Sequence, residues 1–293
     1  MAIRDELKAR IDQKKDTYIE AAKRIHGYSE IGNEEVQSAA ELVTLLKDAS
    51  FDVETSIAGH ETGFIGKKSS SKPGRNIVFL AEYDALPGLG HACGHNIIGT
   101  TSVAAAIALA DDLEQTGGTV YVYGTPAEEG GPNGSAKASF VKAGLFDEID
   151  AALMIHPSRE TGTTGATLAV DPLEFHFTGR AAHAAGSPEE GINALDGVLQ
   201  LFSGINALRQ QLASTIRIHG IITHGGDAPN IIPDYAAARF FIRATTWEEV
   251  VKTSEKVQQI ARGAALQTGA EVDIKRFQNE IHEFVRNRQK ATV

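Results

Sequence analysis

The run NIVFLAEYDALPGLGHACGHN, residues 76–96, opens as a short, nearly continuous apolar strand and closes on two histidines that bracket the chain's single cysteine, Cys93. A strand buried on both faces reads this way, and TVYVYGTP (119–126) and AALMIHP (151–157) repeat the pattern. Helical patterns at 96–114 and about 134–143 lie between them. Strands alternating with helices predict βαβ units, hence an α/β layer with a mostly parallel sheet flanked by helices. Upstream, residues 5–25 and 34–49 read as amphipathic helices. Ile11, Tyr18, Ala22 and Ile25 form one stripe; Val36, Ala39, Ala40, Val43 and Leu46 form the other. The segment GKKSSSKPGRN (66–76) reads as a polar surface hairpin or loop.

The rhythm changes after GATLAVDP. Strands are expected at 172–179, 214–223, 234–244 and 270–277, with helices at 190–212 and 246–267. This β-α-β-β-α-β order is the ferredoxin-like plan of an α+β domain inserted into the first. Pro188, Glu189 and Glu190 suit the start of one helix, and Thr246 before Trp247, Glu248 and Glu249 resembles a capping box for the other. The expected division is 1–169, 170–278 and a stub at 279–293 that returns towards the first domain.

At 293 residues the chain can bury two cores, and 42% hydrophobic with 23% charged residues is ordinary for a soluble globular protein. No apolar run approaches the roughly 20 residues that span a bilayer, and the charged N-terminus lacks the features of a secretory signal. One cysteine suits a reducing compartment, so the expectation is a cytoplasmic protein. A net charge of -10 disfavours nucleic acid and anionic membranes, leaving a small molecule as the expected partner.

The candidate ligands share one edge. Asp84, Cys93 and His95 follow the first strand, Glu128 and Glu129 the second, and His156 ends the third. Parallel strands deliver the loops after their carboxyl ends to one crevice, so these residues converge although distant in sequence. Thiolate, imidazole and carboxylate together suit zinc or a similar transition metal. Two adjacent glutamates repel, and a division of labour removes the difficulty. Glu129 can bind the metal, while Glu128 takes a proton from water that the metal acidifies to a pKa of roughly 7 and returns it to a leaving amine. Taken singly, Cys93 reads as a small buried side chain, the glutamate pair as a solvated loop and His156 as a hydrogen-bonded strand end; only their joint placement points to a metal. His91 reads as structural.

AEYDALPGLGHACGHN, GTPAEEGG, DAALMIHP, AAHAAGSPEEGINALDG and GGDAPNIIPDYAAARFFIRA occur in the order seen in the aminoacylase and carboxypeptidase family of dinuclear metal amidohydrolases, which the sequence resembles over essentially its whole length. The short DALP to HACGHN connection and Asn96 resemble the aminobenzoyl-glutamate hydrolase and aminoacyl-dipeptidase branch. The resemblance implies two divalent ions, zinc with manganese, cobalt or nickel as alternatives, bridged by Cys93 and further held by His95, Glu129 and His156. It implies Glu128 as general base and Asp84 as the carboxylate that orients the site. It also implies His183 as the oxyanion-stabilising histidine that reaches a partner subunit's site, Asn230 and Arg243 as substrate-binding residues, and the inserted domain as a dimerisation lid. The expected function is hydrolysis of an N-acyl or aminoacyl amide of an amino acid by a homodimer or higher homo-oligomer. A peptidase for longer peptides and an inactive dimerisation protein are the alternatives; thiol catalysis by Cys93 with His95 leaves Glu128, Glu129 and His156 superfluous. Relatives also resume the first domain after the inserted one, with a last histidine ligand. No histidine follows His282, which falls too early to match, so a missing catalytic segment is expected, with apolar surface left exposed.

Overall fold

The computed structural model describes residues 3–131, 133–162 and 165–285; the basic tail from 286 onward lies outside the described residues. The chain divides into two compact units, Met1–Thr161 and Gly162–Val293, a boundary slightly before the expected 169.

The first unit runs α1 (Ile3–Gln13), α2 (Lys15–Tyr28), α3 (Val36–Asp48), β1 (Asp52–Ile57), β2 (His60–Ser69), β3 (Asn76–Ala81), α4 (His95–Ala110), α5 (Leu113–Thr116), β4 (Thr119–Gly124), α6 (Ala136–Lys142) and β5 (Ala151–Leu153). The expected helix over 5–25 is two helices, which meet at Lys14. The five strands lie in the order β1-β2-β4-β3-β5. β4, β3 and β5 pair in parallel, whereas β1 and β2 form an antiparallel hairpin whose second strand pairs antiparallel with β4. The sheet is therefore mixed, and the expected mostly parallel arrangement holds for β4, β3 and β5 only. Residues 66–69, expected in a loop, complete β2. Two glycines and two lysines hide its alternation. Gly66 is needed because a Cβ there would come 2.8 Å from Leu46 Cδ1, so its absence lets α3 approach the strand.

Each face of the sheet carries a buried core, while Leu153 of β5 and Met154 and Ile155 beyond it are exposed. Leu42, Leu46, Phe64, Tyr83, Val103 and Val122 form the core on the α2, α3 and α4 side; Val78, Tyr123, Ala136 and Phe140 form a smaller one on the other. α4 is buried over most of its circumference, and its alanine, glycine, serine and threonine residues permit this close approach. Ser102 Oγ donates 2.6 Å to Leu80 O, satisfying the hydroxyl against β3.

The second unit runs β6 (Ala169–Thr178), α7 (Ala194–Arg209), β7 (Arg217–His224), β8 (Tyr235–Ala244), α8 (Trp247–Thr268) and β9 (Glu271–Arg276). Its sheet order is β7-β8-β6-β9 with every pairing antiparallel, the ferredoxin-like plan. Phe175, Phe177 and Phe240 pack with Val198, Leu201 and Ile205 of α7 and Val257 and Ala261 of α8. Pro188–Glu190 forms a single 3₁₀ turn, so the helix expected from 190 begins at Ala194 instead. Gly191 is extended, Ile192 bridges to Arg180, and Asn193 Oδ1 caps the true start by accepting from Leu195 N. Thr246 Oγ1 accepts from Glu249 N at 3.3 Å at the head of α8. Residues 281–284, expected in the stub, lie against this unit: Ile281 bridges to Val170, and Glu283 accepts from Trp247 N at 2.9 Å. No helix among the described residues is long and apolar enough to cross a membrane.

Candidate metal centre

Directly after β3 the chain stays extended through Glu82, Tyr83 and Asp84, with alternate side chains on opposite sides. Tyr83 enters the core, stacks on Phe64 with ring centroids 5.7 Å apart, and donates 2.7 Å to Thr62 O. Glu82 and Asp84 point the other way, both buried. His95, the first residue of α4, stands between them, also buried. Its Nδ1 donates to Asp84 Oδ1 at 2.9 Å, which directs the lone pair of Nε2 away from Asp84. Nε2 lies 3.4 Å from Glu82 Oε2 and 3.8 Å from both Glu128 Oε2 and Glu129 Oε1. Asp84 Oδ2 accepts 2.8 Å from Glu129 N, so one buried carboxylate sets both the imidazole and the glutamate loop.

That loop, after β4, is held from below as well. Glu35, fully buried, accepts 2.8 Å from Ala127 N and 2.8 Å from Thr62 Oγ1. Ala127 is in the left-handed region, with φ 57°. Gly32 packs directly beneath, where a Cβ would lie 2.4 Å from Gly130 O. Burial raises the Glu35 carboxyl above its ordinary value despite these hydrogen bonds.

Cys93 is partly buried, and its thiol is pushed up to about 11 by its hydrogen bond to Glu129, by burial and by the surrounding carboxylates. Burial alone would lower His95; the Asp84 hydrogen bond and the charges of Glu82, Asp84 and Glu128 reverse this and raise it. Glu128 is raised by burial first, with Lys137 acting against this and Glu82 adding to it. His156, exposed beyond β5, sets its ring edge-on to His95 with centroids 5.9 Å apart, and its Nδ1 lies 2.8 Å from Pro157 O.

Two donor groups result. The ligand atoms of Cys93, His95 and Glu129 lie within 4.8 Å of one another, and so do those of Glu82, His95 and His156. Several acidic side chains around one imidazole, a thiol held protonated by them, and a buried Glu82 Oε2 that accepts no hydrogen bond among the described residues all fit a cation. The donor set of sulfur, nitrogen and oxygen fits a transition metal such as zinc.

Glu35, Glu82 and Lys137 are absent from the sequence expectations. Glu82 carried a signal, since it stands two residues before Asp84 and therefore on the same side of the strand. Glu35 carried none, because nothing in NEEVQ distinguishes a buried carboxylate from an exposed one. His91 Nε2 donates to Ile25 O at 3.1 Å beside the His26 ring, a packing role in which burial lowers it.

In the second unit His183 and Asn230 are exposed and adjacent: His183 bridges to Ile231, and Ala184 N donates to Asn230 O at 3.0 Å. His183 Nδ1 accepts from Ala185 N and Gly186 N. Arg243 is not brought to them. It lies near the far end of β8, roughly 26 Å along the strand from Tyr235 at about 3.3 Å per residue, with its guanidinium over the Phe241 ring.

Residues 172–269 match the family described as peptidase dimerisation domain, M20_dimer. The chain is 42% identical over 212 residues to the Xaa-Arg dipeptidase of Mus musculus, covering 71% of this chain and 48% of that protein. It is 38% identical over 299 residues to a p-aminobenzoyl-glutamate hydrolase polypeptide of Escherichia coli, covering 95% of this chain and 61% of that one. The chain thus spans about half to three fifths of the length of these curated relatives. Among solved structures, the aminobenzoyl-glutamate utilization protein of Klebsiella pneumoniae aligns with TM-score 0.77 at 20% identity, covering 97% of this chain and 80% of that one. A Bacillus subtilis protein described as a dinuclear metal binding peptidase from the M20 family aligns with TM-score 0.61 at 21% identity, covering 90% and 74%.

Proposed function

We propose, on the premise that this chain carries an M20 peptidase dimerisation domain and has amide hydrolases as relatives, that it is a metal-dependent amidohydrolase. Its substrate would be an N-acyl or aminoacyl derivative of an amino acid, of the aminobenzoyl-glutamate or dipeptide kind. The observation that carries the reading is the convergence of Cys93, His95 and Glu129 within 4.8 Å, with Glu128 beside them.

Cys93, His95, Glu129 and His156 would hold two divalent ions, zinc being the first choice and manganese, cobalt or nickel the alternatives. Bound there, the metal supplies an acidified water and an electrophilic pull on the amide carbonyl. Asp84 keeps His95 in the tautomer that presents Nε2. Glu128 takes the proton from the attacking water and delivers it to the leaving nitrogen. Burial suits it to this, since a raised carboxyl is a stronger base. His183 of a second copy would stabilise the oxyanion and Asn230 would bind substrate, both supported by resemblance and by their adjacency. Arg243 is kept as a substrate residue on resemblance alone. A dimer follows from the role given to His183, and a cytoplasmic home suits a thiol that must stay free.

Metal analysis of the wild type and of Cys93→Ser and Glu128→Ala tests the reading. Stoichiometric metal should weaken or vanish in the first variant; in the second, metal should stay while turnover of aminobenzoyl-glutamate and Xaa-Arg dipeptides vanishes. A wild type that binds no divalent metal would overturn the reading, and preference for a longer peptide would favour the peptidase alternative.

A further inference from the structure

We propose that Glu82 is itself a metal ligand, donating Oε2 to the ion held by His95 Nε2; this rests on the amidohydrolase reading and extends its ligand set.

Glu82 is buried, with 2% relative exposure, and its two oxygens are used differently. Oε1 is bonded to Lys137 Nζ from α6. Oε2 is buried and accepts no hydrogen bond among the described residues. A carboxylate oxygen withdrawn from water without a partner is a costly arrangement that native proteins seldom keep unless something else meets it. What it faces is His95 Nε2, 3.4 Å away. Two donors each 2.0–2.1 Å from one tetrahedral ion stand about 3.3 Å apart, so this spacing is that of two ligands on one cation. His156 extends the same group, its donor atom lying within 4.8 Å of the other two.

The Lys137 pair does not account for the arrangement. An ammonium meant only to neutralise Glu82 could bridge both oxygens, yet it leaves the inner one free. His95 Nε2 has one lone pair and so serves one ion. Glu82 and His156 therefore offer donors to that ion, Cys93 and Glu129 are left to hold the second, and neither oxygen of Asp84 competes, since both are engaged by His95 Nδ1 and Glu129 N.

The test is titration of the metal-free full chain with Co²⁺ and Zn²⁺, reading stoichiometry, affinity by chelator competition and the visible Co²⁺ spectrum, for wild type, Glu82→Gln and Lys137→Met. Glu82→Gln is expected to bind about 100-fold more weakly and to shift the Co²⁺ bands, because a neutral amide replaces the anionic carboxylate donor. Lys137→Met should keep wild-type stoichiometry and spectrum, since it removes the charge partner and not the donor. Melting of the metal-free forms reports folding. Should Glu82→Gln fail to fold, Glu82→Asp keeps the charge while withdrawing the oxygen by one methylene, and the same weakening is expected. Wild-type affinity and spectrum in the Glu82 variant would overturn the inference alone, and so would weaker binding with an unchanged spectrum. Absence of metal binding in the wild type would overturn the underlying reading as well.

Discussion

Glu35 Oε1 accepts a 2.8 Å hydrogen bond from the backbone N–H of Ala127, joining the turn before α3 to the loop that carries Glu128 and Glu129. The bond fixes a residue whose φ of 57° is unfavourable for alanine, immediately before the two glutamates. Glu35 touches no candidate ligand, and its influence on the site runs through the backbone.

Glu35→Leu, which removes both of its acceptors, should lower stability by about 1–3 kcal/mol through the unpaired Ala127 amide and Thr62 hydroxyl, and should lower kcat more than it changes KM. Urea unfolding and steady-state kinetics check the two effects separately. Unchanged kcat would remove Glu35 from any positioning role.

The same residue sets a pH dependence. Its folded-state pKa is raised, chiefly by burial, so the stability it contributes is fully present below the unfolded value near 4.5 and is lost as pH rises through the folded value. The margin of wild type over Glu35→Gln should therefore shrink between pH 4 and pH 8. Paired melting curves read this, and a margin that grows with pH contradicts the sign.

Metal loading should release protons. With the Cys93 thiol pushed up to about 11 by Glu129, burial and neighbouring carboxylates, a thiolate forms at neutral pH only as the ion displaces the proton. Apparent affinity should then rise about tenfold per pH unit for each proton released near neutrality, and Cys93→Ser should flatten the slope. Calorimetry in buffers of different ionisation enthalpy counts the protons.

Asp84→Asn keeps the volume but turns one of two acceptors, which serve His95 Nδ1 and the Glu129 amide separately, into a donor. Metal affinity should fall 10–100-fold, as for other residues that orient a ligand from behind. Chelator competition at fixed pH measures it.

Gly32→Ala should cost about 1–3 kcal/mol, because its Cβ would lie 2.4 Å from Gly130 O and 3.0 Å from Ala127 Cα, both backbone atoms that cannot swing aside. Denaturant midpoints test the cost, and loss of activity beyond the unfolded fraction would show that the glutamate loop has moved.

The order of elements was legible where burial writes its own pattern. β3 and β4 are continuous apolar runs, and the second unit alternates cleanly enough to give its ferredoxin-like plan. β2 was not legible, because Gly63 and Gly66 leave gaps in its alternation, the latter where a Cβ would crowd Leu46, and Lys67 and Lys68 turn its end towards solvent. α7 began late because Pro188, Glu189 and Glu190 favour a helix locally, while pairing of Ile192 with Arg180 holds the next residues extended. At the site, cysteine and histidine stood out because they are scarce. The carboxylates beneath them did not: burial, not residue type, distinguishes Glu35 and Glu82 from the many exposed acidic side chains of this chain.

Tyr83 enters the core while Glu82 and Asp84 face His95 on the opposite side. Inserting or deleting one residue after β3 would therefore invert the stretch, driving two acids into hydrocarbon and presenting a phenol to His95. Length variation is forbidden here for reasons of chemistry and of folding alike, so libraries seeking new specificity should leave this segment's spacing untouched and diversify elsewhere.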